Sequence, residues 1–133
     1  MSGETDLQKL LQGMKPKMND GEFVFCTLDT LQASNGLNPL CMFQEEEGTT
    51  VIIPKQQADD ASLPYSVVCA WITLTVHSSL EAVGLTAAVS KALTEANISC
   101  NVVAAYYHDH IFVPVEDAQR AMQAIEILSE NGI

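Results

Sequence analysis

The chain has 133 residues, 47% of them hydrophobic, which is enough for one medium-sized domain or two small domains that share a core. Its 17 acidic residues outnumber its six basic residues, and the net charge of −11 disfavours nucleic acids and anionic membranes as partners. The chain contains no apolar run near the roughly 20 residues that cross a bilayer, and its start does not have the pattern of a secretory signal. We therefore expect a soluble cytoplasmic protein.

The first half of the chain predicts one helix followed mainly by strands. Leucines at helical spacing follow Thr5, and Gly13 ends this first helix. In chain order we then predict a strand over 22–28, a loop over 29–39, a hairpin over 40–54 that turns at 46–48, and a weakly helical segment over 55–63.

The second half predicts a more regular alternation of strands and helices. We predict a long apolar strand over 66–76, a helix over 80–96, strands over 98–107 and 111–115 joined at 108–110, and a helix over 116–130 capped by 131–132. This β-α-β-β-α order is that of a ferredoxin-like βαββαβ module without its last strand. The first half has the same order with a loop in place of its first helix. The fold class is therefore α+β, with strand 66–76 at the junction of two incomplete modules.

Gly84 interrupts the predicted helix 80–96, where a glycine costs about 1 kcal/mol relative to alanine. A capping box from Ser78 to Glu81 would begin the helix at residue 79 and place Gly84 inside it. Alternatively, the regular helix begins near Gly84, where a bare backbone lets a neighbouring group approach closely.

The second half resembles the ACT domain family, small ligand-sensing modules attached to many enzymes of amino-acid metabolism. The segments that carry the resemblance are the strand 68–76, Val83-Gly84-Leu85, LTEANI (93–98), NVV (101–103) and YYHDHIFVP (106–114). The run DHIFVP is similar to a subgroup related to aspartokinase regulatory domains and eukaryotic amino-acid sensors. The first half, with EEEGTTVIIP (45–54), is similar to the partner domain of that subgroup. Many members carry a proline before the helix-opening glycine, where this chain has Val83.

The resemblance implies two ACT-like domains, 1–64 and 65–133, each an incomplete ferredoxin-like module with an antiparallel sheet and helices on one face. It also implies a non-catalytic sensor of an amino acid or similar metabolite, with the regular helix beginning near Gly84. Free N–H groups at a helix start suit a carboxylate, and Asn101 on the next strand offers an amide. The implied ligand-binding residues are Ser78, Ser79, Val83, Gly84, Leu85, Asn101 and Val102.

Each of these features also has a purely structural interpretation. Gly84 can serve tight packing, and Asn101 can make an ordinary strand hydrogen bond. If Gly84 holds a ligand, Gly84→Asp is expected to block binding and to leave the fold intact.

Two other classes of function remain open at this stage. Sheet edges left by the missing strands predict a homodimer, and a ligand-independent assembly module is one alternative. The other alternative is a small metal-dependent enzyme that uses His108 and His110, which would lie on one face of a strand. Two protein ligands are, however, fewer than the three or four that zinc normally binds. We expect no catalytic residue, no metal and no cofactor. The four cysteines, each beside apolar residues and without metal spacing, are expected to be buried thiols.

Overall fold

The computed structural model describes residues 3–75 and 84–132, and packing divides the chain into two compact units. The terminal unit comprises Met1–Asp20 and Ala70–Ile133, and the central unit comprises Gly21–Cys69. The strands that contain residues 20 and 70 therefore each contribute to both units. Each unit has a hydrophobic core of its own.

The observed elements follow the predicted order closely. They are α1 (Gly3–Gly13), β1 (Lys15–Leu28), a 3-10 turn (Leu31–Ser34), β2 (Cys41–Gln44), β3 (Thr49–Pro54), α2 (Lys55–Asp60), β4 (Val68–Thr75), α3 (Leu85–Glu95), β5 (Asn101–Ala104), β6 (Asp109–Pro114), a second 3-10 turn (Val115–Asp117) and α4 (Ala118–Asn131). The predicted C-terminal cap is confirmed, because the Gly132 N–H donates to the Leu128 carbonyl at 2.7 Å.

The central unit is an antiparallel sheet with one helix packed on it. Its strand order is β2-β3-β1, with Phe25 of β1 opposite Ile52 of β3 and Cys41 of β2 opposite the same isoleucine. Val24, Val51 and Ile53 are fully buried beneath Ala58 of α2. The predicted loop in place of a first helix is confirmed: it holds a single 3-10 turn, where the Thr30 hydroxyl accepts the Ala33 N–H.

The terminal unit has strand order β1-β4-β6-β5, with residues 15–20 of β1 beside β4. The Thr75 hydroxyl donates to the Lys15 carbonyl at 2.8 Å, and the Asn19 amide donates to the Trp71 carbonyl at 3.2 Å. Residues 15–20 occupy the place beside the first strand that a βαββαβ module gives to its last strand. The expectation that this module lacks that strand is therefore wrong, because the missing strand comes from the N-terminal part of the chain.

Three helices cover one face of the terminal sheet. Fully buried members of this core include Leu11 and Met14 from the α1 region, Ile72 of β4, Leu93 of α3 and Ile125 of α4. The Ser129 hydroxyl on α4 donates to the Met14 carbonyl at 2.8 Å, where α1 has just ended. The α1 region is thus an integral part of this core.

Several predicted boundaries in the terminal unit are wrong, including those of the strand predicted over 98–107, which the structure shows only over Asn101–Ala104. β1 begins at Lys15, directly after α1, because its first residues pair with β4. The regular helix begins at Leu85 and not at residue 80. Finally, β6 begins at Asp109, since Asp109 and His110 pair with Ala104 and Val103, so the connection between β5 and β6 turns at 106–107 and not at 108–110.

Two of the four cysteines are more exposed than the sequence predicts. Cys26 and Cys69 are buried, whereas Cys41 and Cys100 are partly exposed. Burial raises the pKa of the Cys26 thiol. Burial also raises the pKa of Cys100, against a smaller lowering by a hydrogen bond with Ser90.

Candidate functional site

Gly84 is the N-terminal cap of α3 and adopts a left-handed backbone conformation, with φ +99° and ψ −13°. Its carbonyl accepts the Ala88 N–H at 2.9 Å, the first hydrogen bond of the helix. A helix does not pass through a residue with this φ, so a helix that begins at residue 79 and continues through Gly84 is excluded. The regular helix begins where the alternative interpretation placed it.

Both the backbone conformation of Gly84 and the space beside it disfavour a larger residue at this position. A Cβ atom on Gly84 would lie 3.1 Å from Leu7 Cδ2 of α1, which is tighter than an ordinary contact. Gly84 therefore packs closely against the helix α1, whereas its structural interpretation expected tight packing of a helix on the sheet. The same contact overturns part of the sequence-based expectation, because Gly84→Asp would strain the backbone and press on Leu7.

The first turn of α3 presents N–H groups that have no partner within the helix. Gly84 has no side chain with which to cap them. Leu85 points into the core and is 4% exposed, whereas Thr86 is exposed. The N-terminal turn of α3 therefore combines a positive partial charge with an exposed hydroxyl.

Thr86 faces an acidic residue on β6. The Thr86 hydroxyl donates to Asp109 Oδ2 at 3.3 Å. Both residues border a narrow void that is also lined by Leu74, Val89, Val102 and Ile111. The void does not admit a water molecule, so any ligand here would contact the groups at its mouth. Sequence reasoning missed Thr86 and Asp109, since only the packing of α3 on β6 brings them together.

Asn101 and Val102 lie on opposite faces of β5. Val102 borders the void beside Thr86. Asn101 pairs with Phe112, is exposed, and by strand alternation directs its side chain to the other face. The structure thus brings Val102 to the α3 side of the sheet and the Asn101 side chain away from it. Ser78, Ser79 and Val83 lie outside the described residues.

The peptide groups of Val102 point away from β6. The Ala105 N–H donates to the His108 carbonyl at 3.0 Å, which makes these residues a hydrogen-bonded pair. Hydrogen-bonded pairs alternate along an antiparallel ladder, so the peptide groups of Val102 and Ala104 face the far side of β5. β5 is last in the strand order of its unit, and none of the described strands pairs with that edge.

Two models of the ACT domain match this chain, one over residues 2–70 and the other over residues 66–130. The chain belongs to the ACT domain family. A search of curated proteins gives no match.

Several solved structures are also similar to this ACT protein. A Vibrio cholerae protein of unknown function, described as a possible transport protein, is 47% identical over 96% of this chain and 99% of its own, with a TM-score of 0.89. The ligand-free regulatory subunit of aspartate kinase from Thermus thermophilus is 10% identical over 84% of this chain and 93% of its own, with a TM-score of 0.63. Aspartokinase III from E. coli, in complex with aspartate and ADP, is 15% identical over 85% of this chain and 32% of its own, with a TM-score of 0.57. At these two low identities the likeness concerns the fold.

The two ACT matches divide the chain into two consecutive segments, whereas packing groups the two ends of the chain into one unit. The matches meet within residues 66–70, and the central unit ends at Cys69. Residues 1–20, however, pack with the second ACT domain. The division into 1–64 and 65–133 stays a prediction about domain boundaries, and packing adds that the second domain draws α1 and residues 15–20 from the start of the chain.

The two histidines of the second ACT domain lie near each other, but not as a ligand pair. Their ring centroids are 6.4 Å apart, and the rings are almost perpendicular. His110 Nδ1 accepts the Trp71 Nε1–H at 3.0 Å, so the ring proton of neutral His110 is on Nε2, the nitrogen that a metal ion would need. The described residues contain no group of three metal-ligating side chains. None of the described helices is long and apolar enough to span a membrane.

Proposed function

We propose that this ACT protein is a non-catalytic regulatory sensor that binds a free α-amino acid beside the start of α3. The observation that carries the proposal is the juxtaposition of the α3 N-terminus with the Asp109 carboxylate, which contacts Thr86. A zwitterion needs hydrogen-bond donors for its carboxylate and acceptors for its ammonium group. Both kinds of group are present here.

The carboxylate would bind the N–H groups of the first turn of α3, where the helix dipole favours a negative charge. The Thr86 hydroxyl, which donates its proton to Asp109, holds that carboxylate beside the start of the helix. The ammonium group would bind Asp109 and the outward-facing carbonyl of Val102 on β5. The implied site therefore keeps Gly84 and Val102, adds Thr86 and Asp109, and uses Leu85 through its backbone only.

The proposed role of a sensor agrees with the descriptions of solved structures that have a similar fold. The T. thermophilus relative is itself a regulatory subunit, and the E. coli relative is an aspartokinase solved with aspartate and ADP. Neither observation identifies the ligand of this chain. The proposal rests on the chemistry at α3.

A homodimer is the second part of the proposal. The unpaired peptide groups of Val102 and Ala104 form an edge to which a second copy can add its own β5. This pairing would place the partner beside the ammonium end of the site. The same edge is the observation that favours the alternative function, a ligand-independent assembly module.

A thermal-shift screen against the twenty amino acids tests the proposal first. A ligand at one hundred times its dissociation constant adds about 2.7 kcal/mol to the free energy of unfolding, which gives a clear rise in melting temperature. Calorimetric titration of Asp109→Asn with the amino acid that is found should show at least about tenfold weaker binding, because a charge-assisted hydrogen bond is worth about 1.5–3 kcal/mol. Thr86→Val should weaken binding less.

The matched control is Glu46→Gln, which removes one negative charge at the hairpin tip of the central unit. It should bind like the wild type. The proposal fails if no amino acid raises the melting temperature, or if Asp109→Asn retains wild-type affinity. If no amino acid binds and the protein is nevertheless a stable dimer, the assembly module is favoured instead.

A further inference from the structure

A polar cluster lies on the face of the terminal sheet opposite the helices. Strand alternation places His110 and Phe112 of β6, Trp71 and Thr73 of β4 and Asn19 of β1 on this face, since Ile111 and Ile72 face the helical core. The Trp71 indole also stacks on Phe112, with ring centroids 6.5 Å apart. The amino-acid site proposed above uses none of these side chains.

His110 Nδ1 is surrounded by hydrogen-bond donors. It accepts the Trp71 Nε1–H at 3.0 Å, and the Thr73 hydroxyl lies 3.1 Å from the same nitrogen. The Asn19 amide donates to the Thr73 oxygen at 2.9 Å, which leaves the Thr73 proton available to His110. The whole network therefore requires an Nδ1 atom without a proton.

We propose that the hydrogen bond from Trp71 to His110 is a proton-sensitive latch between β4 and β6, which opens when His110 becomes protonated. A proton on Nδ1 would face the indole N–H at a distance where two donors repel. The indole cannot adapt, because it is a donor only. Opening therefore requires one of the two rings to move.

The charges around His110 favour the closed, neutral form. Partial burial and the neighbouring His108 lower the pKa of His110, and Asp109 opposes them to a smaller extent. β4 contributes the neutral side chains of Trp71 and Thr73. On the same face, β1 offers neutral Asn19 and the cationic Lys17, and β5 offers Val103 opposite His110.

A second histidine, His108, lies near the latch, with its ring centroid 6.4 Å from that of His110. Its Nδ1 is buried and has no hydrogen-bond partner among the described residues. His108 adds to the lowering of the His110 pKa by burial. The latch is therefore closed near neutral pH and opens only on acidification below the ordinary histidine pKa of about 6.5.

The sole tryptophan of the chain is part of the latch, so fluorescence of the full-length protein reports on it directly. A titration from about pH 8 to about pH 5 should show one transition in Trp71 emission with its midpoint below 6.5. His110→Gln keeps an acceptor for the indole but cannot titrate, so the transition should disappear. His108→Gln should retain the transition and move its midpoint upward, because His108 lowers the pKa of His110.

Nitrogen NMR of the wild-type protein provides a second measurement that does not depend on the folding of a variant. At neutral pH, His110 should show an unprotonated Nδ1 and a protonated Nε2, and the Trp71 indole N–H signal should shift with the same midpoint as the fluorescence. A proton on Nδ1 at neutral pH would overturn the proposal. So would a wild-type protein without the transition, or a folded His110→Gln protein that keeps it.

Discussion

Leu7 of α1 and Gly84 at the start of α3 are in such close contact that Leu7 Cδ2 lies 3.1 Å from the position of a Cβ atom on Gly84. Two chain segments far apart in sequence thus meet at the glycine of the proposed site. The contact explains a residue that sequence alone left with two interpretations. It also makes α1 part of the framework that holds the first turn of α3.

Gly84→Ala should lower the free energy of unfolding for two separable reasons. The left-handed conformation costs an alanine about 1–2 kcal/mol, and the new methyl group presses on Leu7. Chemical denaturation of Gly84→Ala, Leu7→Ala and the double variant should show that the glycine substitution costs less once Leu7 is shortened. If the two effects add to within about 0.5 kcal/mol, the contact carries no energy.

A fragment of residues 65–133 should not unfold cooperatively. It lacks Leu11 and Met14, which are fully buried in the core of the terminal unit, as well as the strand at 15–20. The matched design is a permuted chain in which residues 70–133 are joined by a glycine-serine linker to residues 1–20. Gly132 lies beside Gln8 of α1. Circular dichroism during thermal unfolding should show a cooperative transition for the permuted chain only, and the same transition in the fragment would contradict the interleaved core.

Arg120→Met should destabilise the protein by about 1 kcal/mol. The Arg120 guanidinium pairs with Asp117 at 2.7 Å and also donates to the Ala96 carbonyl, where α3 ends. The arginine side chain is 52% exposed, so solvent reduces what these bonds contribute. Lys91→Met is the control, because its pair with Glu95 is long, at 3.9 Å, and more exposed. In urea denaturation the control should lie within about 0.5 kcal/mol of the wild type, and equal losses would contradict a special role for Arg120.

Ala104→Pro should convert the proposed dimer into a folded monomer. The Ala104 N–H faces the outer edge of β5, so proline removes a donor that only a second copy would use. Val103→Pro is the contrasting variant, because its N–H pairs with β6 and its loss should damage the fold itself. Sedimentation velocity should show a dimer for the wild type and a monomer for Ala104→Pro. A monomeric wild type, or a dimeric Ala104→Pro, would show that β5 does not join the copies.

Stability should fall on mild acidification, in part through His110. Its pKa is lowered in the folded protein, so between that value and about 6.5 the unfolded chain binds more protons than the folded chain. The contribution of neutral His110 is complete above the unfolded pKa and is lost as the pH falls through the folded pKa. The difference in free energy of unfolding between wild type and His110→Gln should shrink across this window. A difference that is constant with pH would mean that the pKa of His110 is the same in the folded and unfolded states.

Local sequence patterns determined most of the secondary structure of this protein. Alternating and helical spacings of apolar residues identified most of the helices and strands that the structure describes, because those periods reflect which side of an element is buried. The segments around Gly84 and 106–114 also identified the ACT family. Even the loop in place of the first helix was predictable, since its Asn, Ser, Gly and Pro residues favour turns.

Only the tertiary structure decided where the second ACT domain obtains its last strand and what surrounds its site. Residues 15–20 form a strand because they pair with β4, and a partner so far along the chain leaves no mark on local periodicity. The same holds for Leu7 beside Gly84, for Thr86 beside Asp109 and for Trp71 beside His110. In each pair the chemistry of one residue depends on a neighbour that only the packing of sheet and helices supplies.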